Sequence, residues 1–154
     1  RDQPAHFMPA RGILDQATFP EWLLVRRERM SWGKTLSWAI ADLASDRALG
    51  EVLLFVHEGT LDDDTAELGY QVVPSARGRG VASAATRLAV AHAFAPREAG
   101  GLGLRRLVAQ TAQDNAASNG VLTQAGFTVW GRESAADLLP NGRGNDALHW
   151  ELLS

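Results

Sequence analysis

Hydrophobic and polar residues alternate along three stretches in the first half of the chain, and a period of two predicts β-strands. These strands are expected at residues 36–43, 49–57 and 66–73. A polar turn at 44–47 joins the first two, and an acidic segment at 58–64 precedes the third. Because connections of this kind favour hairpins, we predict that the three strands pair antiparallel.

Two stretches have the spacing of amphipathic helices instead. Apolar residues at 22–30 predict a helix that ends near Gly33. A second helix is predicted from residue 81 until Pro96 stops it. Its apolar face is expected to consist of Val81, Ala85, Leu88 and Ala91 or His92.

The rest of the chain alternates strands with one more helix. In order, the pattern predicts a strand at 104–111, a helix at 116–124 capped by Asp114 or Asn115, and strands at 127–131 and 147–152. The resulting order, β-β-β-α-β-α-β-β, contains no repeat and no linker. We therefore expect one α+β or mixed α/β domain that spans residues 1–154.

Composition supports a compact enzyme domain. The 154 residues are 45% hydrophobic and 21% charged, which suits a single core. Fifteen basic residues against 18 acidic residues give a net charge of −3, so no global positive field attracts nucleic acid. No apolar run reaches the roughly 18 residues of a membrane span, and no signal segment opens the chain. We expect a cytoplasmic protein without nucleic-acid or membrane partners.

Metal and thiol chemistry are not expected. The chain has no cysteine, so disulfides, thiolate metal sites and a cysteine nucleophile are excluded. The histidines are scattered and form no short ligand pair; they are His6, His57, His92 and His149. The sequence therefore predicts a protein without a bound metal.

The turn between the third strand and the second helix carries the most chemistry. Residues 77–82 read RGRGVA. A helix start leaves N–H groups without internal partners and carries the positive end of the helix dipole. Gly78 and Gly80 let a ligand approach the main chain closely, and Arg77 and Arg79 add positive charge. This turn predicts a binding site for the phosphates of a ligand.

Two familiar phosphate motifs do not fit this chain. A dinucleotide fingerprint needs a third glycine where Ser83 stands, which disfavours a nicotinamide-dependent oxidoreductase. A Walker A loop would end at Lys34 and Thr35, but Glu28 occupies the position of its first glycine. Nucleotide triphosphate binding is therefore disfavoured as well.

Three further motifs in this chain match those of one known protein superfamily. Residues 77–82 match [Q/R]-x-x-G-x-[G/A], and the preceding strand reads ELGY at 67–70. Downstream, N-x-x-S at 115–118 is followed by G-F at 126–127. Together these motifs resemble the GNAT superfamily of N-acetyltransferases, in particular its RimJ/RimL-like branch. The resemblance implies the acyl-CoA N-acyltransferase fold, a central, mostly antiparallel sheet flanked by helices.

The resemblance covers a core at residues 36–152, whereas residues 1–35 are atypical. The superfamily pattern begins with a strand, and residues 1–16 do not have the pattern of one. An uncovered sheet edge invites pairing. We therefore expect either an additional segment or a homodimer to complete the sheet.

The resemblance implies acetyl-coenzyme A as co-substrate, bound by the glycine-rich turn and by the strand before it. An extended ligand arm can pair with a splayed strand edge. The implied contacts are Gln71, Val72, Val73, Arg77, Gly78, Arg79, Gly80, Val81, Ala82 and Asn115. For Asn115, capping of the following helix is an alternative that can hold at the same time. For the two arginines the alternative is an exposed, solvated pair.

Transfer of an acetyl group to an amine requires a neutral amine, and a nearby carboxylate can act as base. The resemblance places a base or substrate-orienting acid on the strand before the phosphate turn, which selects Glu67. The alternative is a solvated carboxylate paired with a neighbouring arginine. Asp137 is a weaker candidate that is expected in a loop.

A hydroxyl near the sulfur can act as acid. Ser118 matches the serine of N-x-x-S, which implies this role, and a local hydrogen bond within the helix is its alternative. The superfamily often uses a tyrosine on this helix, but the corresponding residue is Leu122. The sole tyrosine, Tyr70, belongs to a different segment, which argues against a tyrosine acid.

The sequence as a whole indicates an N-acetyltransferase that moves an acetyl group from acetyl-coenzyme A to an amine by direct attack. The acceptor is expected to be a peptide or protein amino terminus or a small-molecule amine. At pH 7 a lysine-like amine is neutral about once in 2,500, an α-amine about once in ten, a difference of about 3 kcal/mol. A covalent enzyme intermediate is not expected, since G-x-S-x-G and cysteine are missing. The alternative is a catalytically silent acyl-coenzyme A binding or regulatory domain.

Overall fold

The computed structural model describes residues 24, 25, 27, 28, 30–33, 35–56, 64–138 and 144–154. At the start of this part, residues 24, 25, 27, 28, 30 and 31 are helical. Gly33 follows with a φ of 69°, a left-handed conformation that glycine adopts without strain. The helix predicted to end near Gly33 is thus confirmed where it is described. Residues 1–16 lie outside the described part, so completion of the sheet by another segment or a homodimer stays a prediction.

Six strands form one sheet in the order β1-β2-β3-β4-β6-β5. Their bounds are β1 Thr35–Ala41, β2 Ala48–Val56, β3 Thr65–Val72, β4 Arg106–Ala112, β5 Thr128–Leu138 and β6 Gly144–Leu153. All neighbouring pairs are antiparallel except β3 and β4, which are parallel. The mostly antiparallel sheet and its three antiparallel leading strands are therefore confirmed.

Two helices connect the strands around the parallel pair. Helix α1, Val81–Phe94, links β3 to β4, and helix α2, Ala116–Gln124, links β4 to β5. A parallel pair needs such a crossover because its strands run in the same direction. Helix α1 ends at Phe94, two residues before Pro96, whose ring cannot continue a helix. Both helices fall where the sequence predicts them.

The buried face of α1 differs from the predicted one. Its buried residues are Ala85, Thr86, Ala89 and Ala93. Leu88, assigned to the apolar face, is 73% exposed, so that assignment was wrong. Small side chains let a helix approach the sheet closely, and here they form the contact in place of the larger leucine.

The core lies between these helices and one face of the sheet. Leu54, Leu68, Leu107 and Leu122 are each at most 1% exposed and belong to one apolar cluster. Burial of one such leucine stabilises the fold by roughly 1.5–3 kcal/mol. Because side chains alternate along a strand, every second residue of β3 faces this core and the others face the opposite side.

The last hairpin is longer than predicted. Strand β5 continues to Leu138, beyond the strand predicted at 127–131, and β6 begins at Gly144, before the strand predicted at 147–152. The pairing of β5 with β6 shifts register twice, and Ala135 has a φ of 52°. These bulges interrupt the alternation of inward and outward side chains. The strand therefore cannot be recognised from a period of two in the sequence. Asp137, expected in a loop, lies in β5 opposite Asn145.

Candidate active site

The two parallel strands separate beyond their first residues. Strand β3 pairs with β4 only from Thr65 opposite Arg106 to Glu67 opposite Val108. Both strands continue, to Val72 and Ala112, without pairing to each other. The separation leaves a wedge-shaped opening in the sheet, with Glu67 at its closed end.

On the helix side this opening leads into a cleft of about 370 Å³. The end of β3, the loop before α1, the first turn of α1 and one face of α2 form its walls. Nine residues implied by the resemblance line it: Gln71, Val72, Arg77, Gly78, Gly80, Val81, Ala82, Asn115 and Ser118. The fold thus brings the two distant motifs, at 77–82 and 115–118, to opposite sides of one cavity.

The start of α1 fits a phosphate-bearing ligand. Gly78 and Gly80 have φ values of 69° and 75°, and a Cβ at either would meet nothing within 4 Å. No side chain caps the helix, and no acidic residue stands in its first turn. The first helical N–H groups therefore have no partner within the helix and face the cleft at the positive end of the helix dipole.

The two arginines of the loop have different surroundings. Arg77 lines the cleft, and its Nε donates to the carbonyl of Val72 at 3.1 Å. Arg79 does not line the cleft. Hydrogen bonds from Ser45 and Ala44, together with the positive charge of Arg79, hold the pKa of Asp42 below its usual value. Arg79 therefore interacts electrostatically with the β1–β2 turn, which contains Asp42.

The main chain at the end of β3 is partly engaged. The N–H of Val73 donates to the carbonyl of Leu49 at 2.8 Å, so that group is not free for a ligand. Val73 does not line the cleft, whereas Gln71 and Val72 do. The side chain of Gln71 points to the other face of the sheet, where its Nε2 donates to Glu51 at 2.6 Å.

Asn115 caps helix α2, as one of the two predicted alternatives required. Its Oδ1 accepts from the N–H of Ser118 at 3.1 Å. Asn115 also lines the cleft, and its Nδ2 makes no hydrogen bond to the described residues. The side chain can therefore cap the helix and still offer an amide donor to a ligand.

The chain's single tyrosine lies at this site, which sequence reasoning missed. Tyr70 lines the cleft, and its hydroxyl donates to the main-chain carbonyl of Ser118 at 3.2 Å. Burial raises the pKa of Tyr70 to about 12, an effect that the hydrogen bond to Ser118 partly offsets. The alternation of β3 contained the signal, since Tyr70 shares a face with the buried Leu68.

Glu67 faces the opposite side of the sheet from the cleft. It is half-buried, and its carboxylate forms no hydrogen bond or ion pair with any other described residue. The alternative of a pairing with a neighbouring arginine is thus not found in the described part of the chain. The carboxylate stands at the closed end of the opening between β3 and β4.

A narrow slot of about 10 Å³ lies between the separated ends of β3 and β4. It is lined by Leu68, Gly69 and Tyr70 of β3, Ala109, Gln110 and Thr111 of β4, and Ser118 and Leu122 of α2. Leu68 and Ala109 belong to the core face, whereas Gly69 and Gln110 alternate to the other. The slot thus lies between residues of both faces of the sheet, and Glu67 directly precedes its first lining residue, Leu68, on β3.

Further lining residues were not predicted. They are Ala76, Ser83, Ala117, Gly120, Val121 and Gln124. Ser83 donates to Gln124 Oε1 at 3.2 Å, a bond that connects α1 with α2. On α2 these residues recur at helical spacing, and the small side chains of Ala117 and Gly120 were a usable signal for a ligand-facing side.

An opened parallel strand pair beside a glycine-rich helix start defines the class of acyl-coenzyme A N-acyltransferases. The chain belongs to the acetyltransferase (GNAT) domain family, whose model matches residues 2–128. The match begins before the motifs used above and so includes amino-terminal residues that those motifs did not relate to the family. The chain is accordingly an acyltransferase domain, and the family predicted from its motifs is confirmed.

Solved structures with the same fold support this placement. RimJ of Mycobacterium smegmatis in complex with CoA-disulfide has a TM-score of 0.78 at 24% identity, over 96% of this chain and 68% of that one. Ribosomal-protein-S5-alanine acetyltransferase of Vibrio fischeri has a TM-score of 0.76 at 19% identity, over 96% and 80%. Spermidine N-acetyltransferase of Vibrio cholerae, with CoA and spermine, has a TM-score of 0.75 at 19% identity, over 96% and 79%.

At these identities the likeness concerns the fold. It confirms the predicted acyl-CoA N-acyltransferase architecture. No curated protein matches the chain significantly. Within the described ranges, no helix has the length and apolarity needed to cross a bilayer, and no three His, Asp or Glu residues are grouped so as to hold a metal ion.

Proposed function

We propose that this domain transfers the acetyl group of acetyl-coenzyme A to an amine by direct attack. In this proposal the co-substrate is bound in the helix-side cleft, with its diphosphate at 77–82 and its arm along the end of β3. The amine is bound on the opposite face of the sheet, beside Glu67. Ser118 and Tyr70 stand between these two positions.

One observation carries the proposal. Pairing of β3 with β4 stops at Glu67 and Val108, so the two strands open beyond a carboxylate that has no partner among the described residues. In this proposal, the reactive end of a thioester carrier held at the start of α1 is directed through the opening. An acceptor can reach that end from the other face without competing for the cleft.

The residues divide the chemistry between the two faces. Main-chain N–H groups at the start of α1, together with Arg77, bind negative phosphate charge. Glu67 takes a proton from the acceptor ammonium, directly or through water, and so supplies the neutral amine that attacks. Asn115 holds the first turn of α2 against the cleft and offers its amide to the co-substrate.

The acceptor is proposed as an amine whose neutral form is accessible. Structural neighbours are named for acetylation of ribosomal protein S5 alanine and of spermidine, and both substrates are amines. An α-amine near pKa 8 is neutral far more often at pH 7 than a lysine-like amine near about 10.4. A peptide amino terminus therefore needs less help from Glu67 to lose its proton than a lysine-like amine does.

The decisive experiment measures coenzyme A release over an amine panel with the wild type and with Glu67→Gln. The panel holds a peptide with a free amino-terminal alanine, an amino-terminally blocked peptide with one lysine, and spermidine. Loss of the base should lower kcat about a hundredfold at neutral pH. The rate should recover partly at high pH, where more amine is neutral, and the affinity for acetyl-coenzyme A should stay unchanged.

Glu133→Gln is the matched control, because its carboxylate lies on strand β5 and contacts His149 at 3.2 Å rather than the opening. It should retain the wild-type kcat. Wild-type rates in Glu67→Gln would remove Glu67 from the mechanism. Tight binding of acetyl-coenzyme A without turnover of any amine would instead identify a silent acyl-coenzyme A binding domain.

A further inference from the structure

We infer that the hydroxyl of Tyr70 donates a hydrogen bond to the sulfur of the departing coenzyme A thiolate and is the main leaving-group donor of the site. The hydroxyl of Ser118 then contributes less than that of Tyr70 to stabilising the thiolate. This inference rests on the proposed function. It adds to that function a residue of β3 that belongs to none of the motifs at 77–82 and 115–118.

The position of Tyr70 supports this role. Of the described residues, Tyr70 and Ser118 alone line both the helix-side cleft and the slot through the sheet. In the proposed function, the thioester extends from the cleft along the junction that these two residues line. In that arrangement the bond that breaks joins the arm in the cleft to the acetyl group directed toward Glu67, and its sulfur lies beside Tyr70 and Ser118.

The hydroxyl of Tyr70 is available to change its acceptor. It donates to the carbonyl of Ser118 at 3.2 Å. In helix α2 this carbonyl is also in place to accept from the N–H of Leu122, four residues on. Rotation of the O–H toward a sulfur therefore leaves the carbonyl with a partner, and the rearrangement exposes no unsatisfied group.

The balance of charge creates the need for such a donor. As the amine lone pair forms the C–N bond, the C–S bond breaks and its electron pair remains on sulfur. The amine proton leaves through Glu67 or water. Leu68 and Leu122 line the slot and are at most 1% exposed, and a hydrogen bond to a thiolate is strengthened in such surroundings.

The pKa of Tyr70 determines whether its hydroxyl donates a hydrogen bond or a whole proton to the sulfur. Its pKa of about 12 keeps the hydroxyl protonated at neutral and mildly alkaline pH. Full transfer of its proton to a thiolate, whose thiol has a pKa of about 8.5, is unfavourable by roughly 3,000-fold. Tyr70 therefore acts as a hydrogen-bond donor, and the thiolate takes its proton from solvent.

The test compares the wild type with Tyr70→Phe, which keeps the ring and removes the hydroxyl. We expect kcat to fall about tenfold to a hundredfold, the range for a hydrogen bond to a charged group, with affinity for coenzyme A unchanged. A second measurement follows the thiol of bound coenzyme A by its thiolate absorbance. Its pKa should be about one to two units higher in Tyr70→Phe than in the wild type.

Ser118→Ala is the matched control, because it removes a hydroxyl at the same junction and keeps the main-chain carbonyl that Tyr70 contacts. It should change both quantities less than Tyr70→Phe. Unchanged kcat and thiol pKa in Tyr70→Phe, or larger changes in Ser118→Ala, would overturn the inference and leave Glu67 unaffected. If the wild type acetylates no amine, the proposed function fails, while the thiol pKa still decides the role of Tyr70.

Discussion

Arg77 and Arg79 are two residues apart, yet the fold gives their charges different surroundings. Arg77 lines the cleft and contacts the carbonyl of Val72, whereas Arg79 lies near Asp42. A charge directed at a ligand within a partly enclosed cleft is screened less than one on an open surface. The two arginines should therefore contribute unequally to binding of coenzyme A.

Single substitutions should reveal this difference. We expect Arg77→Ala to weaken coenzyme A binding about tenfold to a hundredfold, the value of a charge-assisted hydrogen bond. Arg79→Ala should cost about twofold to fivefold, as exposed charges do. Calorimetric titration at low and high salt measures both effects. Equal losses, or a larger loss in Arg79→Ala, would show that the loop binds its ligand in another orientation.

At the scale of elements, helix α2 presents small residues to the cleft and is held by polar contacts behind it. Ala117 and Gly120 line the cleft. On the other side, Thr111 Oγ1 donates to Asn119 Oδ1 at 2.6 Å and accepts from Trp150 Nε1 at 2.8 Å. These contacts fix the helix against β4 and β6, so the width of the cleft depends on the volume of the side chains that face it.

Gly120→Ala tests this arrangement. A Cβ at Gly120 meets no heavy atom within 4 Å, and alanine stabilises a helix interior by about 0.5–1 kcal/mol relative to glycine. The melting temperature should therefore rise slightly. The new methyl group enters the cleft, so we expect the affinity for coenzyme A to fall at least about fivefold.

Thr123→Ala serves as control for Gly120→Ala, since Thr123 is exposed on the same helix and does not line the cleft. Alanine raises helix propensity there too, but affinity for coenzyme A should stay at the wild-type value. A gain in stability without loss of affinity in Gly120→Ala would mean that the ligand does not pass along this face of α2.

At the scale of the whole molecule, the sheet separates the two reactant positions of the proposed function. The cleft lies on the helix side, and Glu67 faces the other. Direct attack requires both reactants to be bound at once, one on each side of the opening. The chain has no cysteine to hold an acetyl group in between.

Initial-rate kinetics should therefore show a ternary complex. When acetyl-coenzyme A and amine are varied together, reciprocal plots should intersect. Incubation with acetyl-coenzyme A alone should leave the mass of the protein unchanged and release no burst of free thiol. Parallel plots, together with an acetylated protein that passes its acetyl group to a later added amine, would contradict direct attack.

The sequence by itself determined the elements and the chemistry of the loop. Alternation at 36–73 and helical spacing after residue 81 are local properties, so the leading strands and helices α1 and α2 were predictable. The left-handed turn at Gly78 and Gly80 was readable for the same reason, because backbone freedom belongs to the residue itself. The bulged strand β5 was not, since its register shifts depend on pairing with β6.

Only the tertiary structure decided which face of the sheet carries the cleft and which distant residues meet there. Strand alternation by itself puts Glu67 and Tyr70, three residues apart, on opposite faces, but it does not say which face helix α2 covers. Tyr70 joins Ser118, 48 positions away, because the parallel pair opens and α2 packs over the opening. Contacts between residues this far apart in the sequence form when helices pack on a sheet. A local pattern of residues does not predict which of them meet.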